Sequence, residues 1–174
     1  MMEIEKICSC ARNASYKLAS CKSEEKNKIL LSIADGIEEQ RESIKKANAV
    51  DIANAKGVLS EAMIDRLTLT DERIDLMAEG VRQVVALDDP VGKVVREWTM
   101  PNGLHFKKVR ASLGVIGVIY ESRPNVTVDV ASLCIKSGNG VILKGGKEAI
   151  NSNRRLFEII GEAIEKCGFD KNFV

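Results

Sequence analysis

Histidine occurs once, as His105, and no two cysteines stand in a Cys-x-x-Cys pair, so neighbouring residues supply no half of a tetrahedral zinc site. No metal is expected. Charge of one sign is equally scarce: Lys plus Arg number 26 against 25 Asp plus Glu, a net charge of +1. That balance gives no field to make nucleic acid or a membrane surface the main partner, and points to a small, locally bound ligand. No uncharged stretch reaches the ~18 residues of a membrane span. Met1-Met2-Glu3-Ile4-Glu5-Lys6 carries acids and no apolar signal run, so a cytoplasmic protein is expected. Internal repeats and low-complexity tracts are lacking as well. The five cysteines, Cys8, Cys10, Cys21, Cys134 and Cys167, are odd in number and lie in helix-like text, as reduced thiols do.

What is present is a chain of 174 residues, 45% of them hydrophobic, enough for the core of one domain. The first half has helical period. Ile4, Ile7, Ala11, Ala14 and Leu18 recur at three- and four-residue steps, and Leu30, Ile33, Ile37, Ile44 and Ala47 do so along one long segment from about Glu24 to Ala55. Lys56-Gly57 interrupts the pattern. A third helix with Ile74, Met77, Ala78, Val81 and Val85 on one side begins after Thr70-Asp71, a capping pair, and stops near Leu87. From Val91 the period becomes two, and Pro101-Asn102-Gly103 separates a first extended run from a second over Leu104 to Arg110. Asn-Gly predicts a two-residue hairpin turn with positive φ at both central residues. The hairpin is either a surface hairpin that completes the domain or an arm that pairs with another subunit. The arm is favoured, because two strands alone bury Trp98 poorly.

After Arg110 strand and helix alternate. Val115 to Tyr120 reads as a strand covered on both faces, Val126 to Lys136 as a helix, Val141 to Lys144 as a second strand, and Leu156 to Cys167 as a helix ended by Gly168. This order predicts an α/β fold with a parallel sheet. Two strands do not complete such a sheet, and Asp170 to Val174 would lead into a third. The expected organisation is a helical part over 1–90, the hairpin over 91–110 and the start of the sheet over 111–174.

In a parallel sheet ligands collect beyond the carboxyl ends of the strands. The first such loop, Glu121-Ser122-Arg123-Pro124-Asn125, offers an anion site at a helix start; alternatively Ser122 or Asn125 only caps the helix while Glu121 and Arg123 pair on the surface. Gly114-x-x-Gly117 is not the Gly-x-Gly-x-x-Gly fingerprint of dinucleotide loops. At the end of the second strand stands Lys144, with Lys147 three residues on, where an NAD site usually has an acid for the ribose 2′-hydroxyl. These lysines favour a 2′-phosphate, unless both are simply solvated. Gly145-Gly146 permits close approach of a ligand or a tight turn. No cysteine has the setting of a nucleophile: Cys134 lies mid-helix among apolar residues and Cys167 at a helix C-terminus, where a thiolate is disfavoured.

Leu113-Gly114-Val115-Ile116-Gly117-Val118-Ile119-Tyr120-Glu121-Ser122-Arg123-Pro124-Asn125-Val126-Thr127-Val128-Asp129 closely resembles the signature of the gamma-glutamyl phosphate reductase family. Lys136-Ser137-Gly138-Asn139, Leu143-Lys144-Gly145-Gly146-Lys147-Glu148-Ala149, Asp65-Arg66-Leu67, Asp89-Pro90-Val91-Gly92 and Pro101-Asn102-Gly103-Leu104 are similar to it too. The resemblance implies an aldehyde dehydrogenase-like fold: N-terminal helices, part of a Rossmann-like sheet and a hairpin arm for homo-oligomerisation. It also implies NADPH-dependent reduction of L-glutamyl 5-phosphate to L-glutamate 5-semialdehyde in proline biosynthesis, and glutamate 5-kinase as a candidate partner. On that resemblance Tyr120, Glu121, Ser122, Lys144, Gly145, Gly146 and Lys147 belong to the cofactor site, and Arg123 and Asn125 contact substrate. Ser112 stands where the family usually has proline and Gly140 where alanine is common. The family's chains run to more than twice this length, so the catalytic cysteine is expected outside these residues. The chain is then the cofactor-binding front part, inactive alone, or a non-catalytic NADP-binding or dimerisation module.

Overall fold

A computed structural model describes residues 3–174. Seven α-helices and four strands follow in the order α1 (Glu3–Ala19), α2 (Ser23–Glu39), α3 (Arg41–Ala55), α4 (Glu61–Leu67), α5 (Asp71–Ala86), β1 (Val94–Thr99), β2 (His105–Val109), β3 (Val115–Ile119), α6 (Asn125–Lys136), β4 (Gly140–Lys144) and α7 (Ile150–Lys166). The core gathers around α2, whose Ile29, Leu30, Ile33, Ala34 and Ile37 are fully buried against α5, α6 and α7. These residues recur at the helical period, so one face of α2 faces inward along its length. No helix among the described residues is long and apolar enough to cross a membrane.

The capping pair before α5 behaves as its sequence indicates: Thr70 Oγ1 accepts from the Arg73 N–H at 3.2 Å. The long helix expected from Glu24 to Ala55 is two helices, broken at Gln40. Neither glycine nor proline stands there. The break is held by Ser43, whose hydroxyl donates to the Gln40 carbonyl at 2.8 Å, and by α7, where Glu162 accepts from Gln40 Nε2 at 2.8 Å and Arg155 also bonds the Gln40 side chain. A side-chain competitor for the backbone and a tertiary clamp replace the local breaker. Helix α4 lay unread in the sequence, being too short to show a period.

β1 and β2 pair antiparallel, with Trp98 opposite Phe106 and Glu97 opposite Lys107. The expected two-residue turn does not form. Pro101 lacks the N–H that would close it, so the Met100 N–H donates to the Leu104 carbonyl instead, at 2.8 Å. Pro101-Asn102-Gly103 thus becomes a three-residue loop in which only Gly103 has positive φ, 86°.

β3 and β4 run parallel in register, Ile119 beside Lys144. β3 is less covered than a strand buried on both faces, since Ile119 is 79% exposed. Among the described residues β3 pairs with β4 alone, so one of its edges has no strand beside it. Helix α1 crosses close to the start of β4: a Cβ on Gly140 would lie 3.1 Å from Ser15 Cβ and 3.3 Å from the Phe173 carbonyl oxygen. Glycine at 140 is therefore fitted to this crossing. Residues Lys171–Phe173 make a 3-10 turn rather than a strand, and Phe173 is buried beneath α1 and α7.

Candidate functional site

The carboxyl ends of β3 and β4 lie side by side, tied by the Tyr120 N–H donating to the Lys144 carbonyl at 3.1 Å. Both following loops therefore open at one edge of the fold, the place where parallel sheets hold ligands. Tyr120 turns its ring over Gly145, so closely that a Cβ at 145 would meet the ring at 3.1 Å. Its hydroxyl is 2.6 Å from Thr127 Oγ1, and Thr127 donates in turn to Asn153 Oδ1 at 3.1 Å. That chain joins β3, α6 and α7.

Asn153 Nδ2 has no hydrogen-bond partner although the residue is buried, and a Cβ on Gly145 would fall 2.2 Å from it. An unpaired buried donor costs roughly 1–3 kcal/mol. The Asn153 amide and the Tyr120 ring pack onto the bare Cα of Gly145, an approach that requires glycine there. Tyr120, Thr127, Gly145 and Asn153 form the polar end of a cleft of about 650 Å³, which continues between α1, β4 and α7 over apolar Ile7, Val141 and Phe157. Burial pushes the Tyr120 phenol above its ordinary range, while the bond to Thr127 works in the opposite direction.

The remaining residues of these loops divide. Lys144, Lys147 and Glu121 are exposed, and Ser122 is buried. Neither Ser122 nor Asn125 caps α6, whose first residue follows Pro124 without a side-chain cap. Nor do Glu121 and Arg123 pair as charges; the Arg123 N–H donates to the Glu121 carbonyl at 2.7 Å. Asn125 instead donates Nδ2 to Asp129 Oδ2 one turn on, at 3.0 Å. Arg123 and Asn125 line a second, polar pocket of about 430 Å³ whose other wall is α4 and the start of α5.

The structure thus separates the expected site into two places: Tyr120 and Gly145 at the cleft, Arg123 and Asn125 at the polar pocket. Arg66, Thr127 and Asp129 stand in segments that resemble the family, but they and Asn153 were not assigned to the site from sequence. Only Asp129 carried a local signal, its four-residue step from Asn125 on a helix.

Of the thiols, Cys10 on α1 lines the apolar part of the cleft. Cys134 is buried within α6 and burial pushes its pKa up; burial, helped by Glu25, does the same to Cys21. Among the described residues no three His, Cys, Asp or Glu side chains gather as a metal site.

A two-strand parallel unit flanked by helices, with a separate hairpin between its helical and sheet portions, defines an aldehyde dehydrogenase type of fold, and the sequence matches the aldehyde dehydrogenase family over residues 1–174. The chain belongs to that family. Its relatives include a protein named gamma-glutamyl phosphate reductase from Escherichia coli O1:K1, 53% identical over 95% of this chain and 40% of that one. Another of the same name, from Thermodesulfovibrio yellowstonii, is 49% identical over 94% of this chain and 40% of its own length. The crystal structure of gamma-glutamyl phosphate reductase from Thermotoga maritima superposes with a TM-score of 0.97 at 39% identity, covering 99% of this chain and 42% of that one. The chain thus spans about 40% of the length of the curated relatives it matches.

Proposed function

We propose that this chain forms the cofactor-holding and substrate-orienting front of an NADPH-dependent enzyme that reduces L-glutamyl 5-phosphate to L-glutamate 5-semialdehyde and phosphate, a step of proline biosynthesis. The observation that carries the reading is the likeness, along nearly the whole chain, to curated proteins named for that activity. The geometry supports it in two ways. Gly145 lets Asn153 and Tyr120 pack close at the carboxyl end of the sheet, and the unpaired Asn153 donor on the cleft suits a nucleotide group that brings its own acceptors. Lys144 and Lys147 add exposed cations where a 2′-phosphate would lie, and Tyr120, Glu121, Ser122 and Gly146 complete the surroundings.

NADPH, when bound, supplies the hydride that reduces the acyl group. The chain's own residues bind and orient. Asn125 holds the mouth of the polar pocket through Asp129, and Arg123 presents its guanidinium there for the acyl phosphate or the carbonyl oxygen, on which negative charge grows during attack. None of the five cysteines is assigned as the nucleophile: Cys10 lines the cleft, but the single histidine, His105, is held by Glu97 and Thr99 on the hairpin and activates none of them. Five free thiols suit a reducing, cytoplasmic setting.

Assembly belongs to the same proposal. The hairpin has two unlike faces. On one, Glu97, His105 and Lys107 join in hydrogen bonds and ion pairs; on the other, Trp98 stacks on Phe106 with ring centroids 5.4 Å apart and Arg96 lies over Trp98. Such an exposed aromatic face suits docking on a second copy of the chain. Glutamate 5-kinase is a candidate partner on the resemblance alone.

The cofactor assignment is tested by titrating the purified chain with NADPH and NADH. Lys144→Ala should weaken NADPH about tenfold or more and leave NADH nearly unchanged, as loss of one charge-assisted phosphate contact does. Equal weakening of both, or no preference for NADPH in the parent chain, would sink the 2′-phosphate role.

A further inference from the structure

The polar pocket has more charged side chains than the reading above uses. Arg73 is already committed: it pairs with Asp65 at 2.9 Å and donates to the Thr68 carbonyl, also at 2.9 Å, which closes the corner between α4 and α5. Asp65 is neutralised by the same pair. Arg66, on α4, carries no ion pair or hydrogen bond among the described residues. Asp129, on the facing α6, receives only the Asn125 amide and has no cation beside it. The protein packed around Asp129 pushes its carboxyl above the ordinary range, against the pull of that amide. Leu69 and Met77, buried core residues, add apolar surface to the pocket wall.

An unpaired guanidinium and an unpaired, partly desolvated carboxylate in one pocket that also has apolar wall are complementary to a zwitterion on a short methylene chain. A carboxylate ligand without an amine would leave Asp129 unanswered, and an amine without a carboxylate would leave Arg66 so. Both side chains are exposed to solvent, and both border the concave pocket that also takes Arg123 from the loop before α6.

We propose that Arg66 and Asp129 form the recognition site for the head of an α-amino acid, Arg66 taking the α-carboxylate and Asp129 the α-ammonium. Arg123 then faces the activated end of the same molecule. The proposal rests on the glutamyl phosphate reading and deepens it, because it assigns the end of the substrate where no chemistry occurs and so makes these two residues determinants of specificity.

The test uses the purified chain with L-glutamate, which has the same head group and no acyl phosphate, beside glutarate, which lacks the amine, and 4-aminobutyrate, which lacks the α-carboxylate. Binding is followed by calorimetry and by backbone amide shifts at residues 65–69 and 123–129. L-Glutamate should bind saturably, and either analogue at least about tenfold more weakly, because each leaves one charge unpaired. Asp129→Asn should bring L-glutamate down to the level of glutarate without altering glutarate. Arg66→Gln should bring it down to the level of 4-aminobutyrate, and Arg66→Lys should restore part of the difference. Equal binding of all three ligands, equal weakening of all three by either variant, or no saturable binding of L-glutamate would each overturn the proposal. NADPH titration in parallel keeps the two readings apart: lost NADPH preference with amino-acid discrimination intact sinks the cofactor assignment, and the converse sinks this one.

Discussion

Asp51 should be among the most costly side chains to remove, although it touches no proposed ligand. It lies on α3, is 1% exposed, and its two oxygens accept four hydrogen bonds from the start of α7: the Asn151 N–H at 3.1 Å, Asn151 Nδ2 at 2.7 Å, the Ser152 N–H at 2.7 Å and the Ser152 hydroxyl at 2.6 Å. Residue Ala149, at the N-cap position of α7, has no side-chain acceptor to offer, so Asp51 caps that helix from another one. Asp51→Ala removes a cap worth about 1 kcal/mol and strands two backbone donors at roughly 1–3 kcal/mol each. Allowing for relaxation, the net loss should be about 3–5 kcal/mol, a large part of the ~5–15 kcal/mol that holds a domain folded. Urea unfolding followed by circular dichroism reads it directly. With a slope of ~1–3 kcal/mol per molar, the midpoint should fall by about 2 M at unchanged slope. Asp51→Asn, which turns an amide toward donors, should lose about half as much. A loss below about 1 kcal/mol for Asp51→Ala, or an Asn variant indistinguishable from the parent, would refute the capping argument.

Lys26 is wholly buried, 2.6 Å from Asp89, whose other oxygen accepts from the Val91 N–H at the root of the hairpin. Lys26→Met should cost about 3 kcal/mol by leaving Asp89 unpaired, and Lys26→Met with Asp89→Asn should recover most of it in the same urea assay. Gly145→Ala would set a Cβ 2.2 Å from Asn153 Nδ2; it should cost about 1–3 kcal/mol and abolish detectable NADPH binding, whereas unchanged affinity would remove Gly145 from the site. Arg82 grips Glu38 through two bonds of 2.7 Å and holds its carboxyl below the ordinary value near 4.5. A depressed folded-state pKa gives stability that is present above that value and lost as pH falls through the lower one. Arg82→Gln should therefore flatten the melting temperature profile on the acid side of pH 4.5, with a loss of under about 1 kcal/mol at pH 7 for a surface pair. Deleting residues 94–109 should abolish self-association in sedimentation while leaving the melting transition of the core in place; an unchanged sedimentation profile would argue against the arm.

The elements that repeat a period were legible. The apolar stripe of α5, the cap at Thr70, the switch to a two-residue period at the hairpin and the strand–helix alternation after Arg110 all form where local sequence places them, and the stripe of α1 is buried at Ala11, Ala14 and Leu18 but exposed at Ile4 and Ile7. What escaped depends on partners far along the chain. Gln40 breaks a helix because α7 holds it, and Pro101 reshapes a turn because a hydrogen bond across the hairpin has lost its donor. The tyrosine, lysine and glycine of the two loops could be named from motif and strand ends. Arg66 could not be joined to Asp129 from sequence, since the packing of α5 against α6 brings α4 to that face.

Sequence alone determined the periods of the longer helices, the cap at Thr70, the place of the hairpin, and a motif whose likeness runs through the whole chain, because side-chain period and capping chemistry are local properties of the backbone. Tertiary structure decided which charges remain unpaired and where an asparagine donor lacks an acceptor. Those depend on which side chains meet across more than a hundred residues, as Lys26 Nζ and the Lys136 carbonyl do, and only the packed helices bring them together.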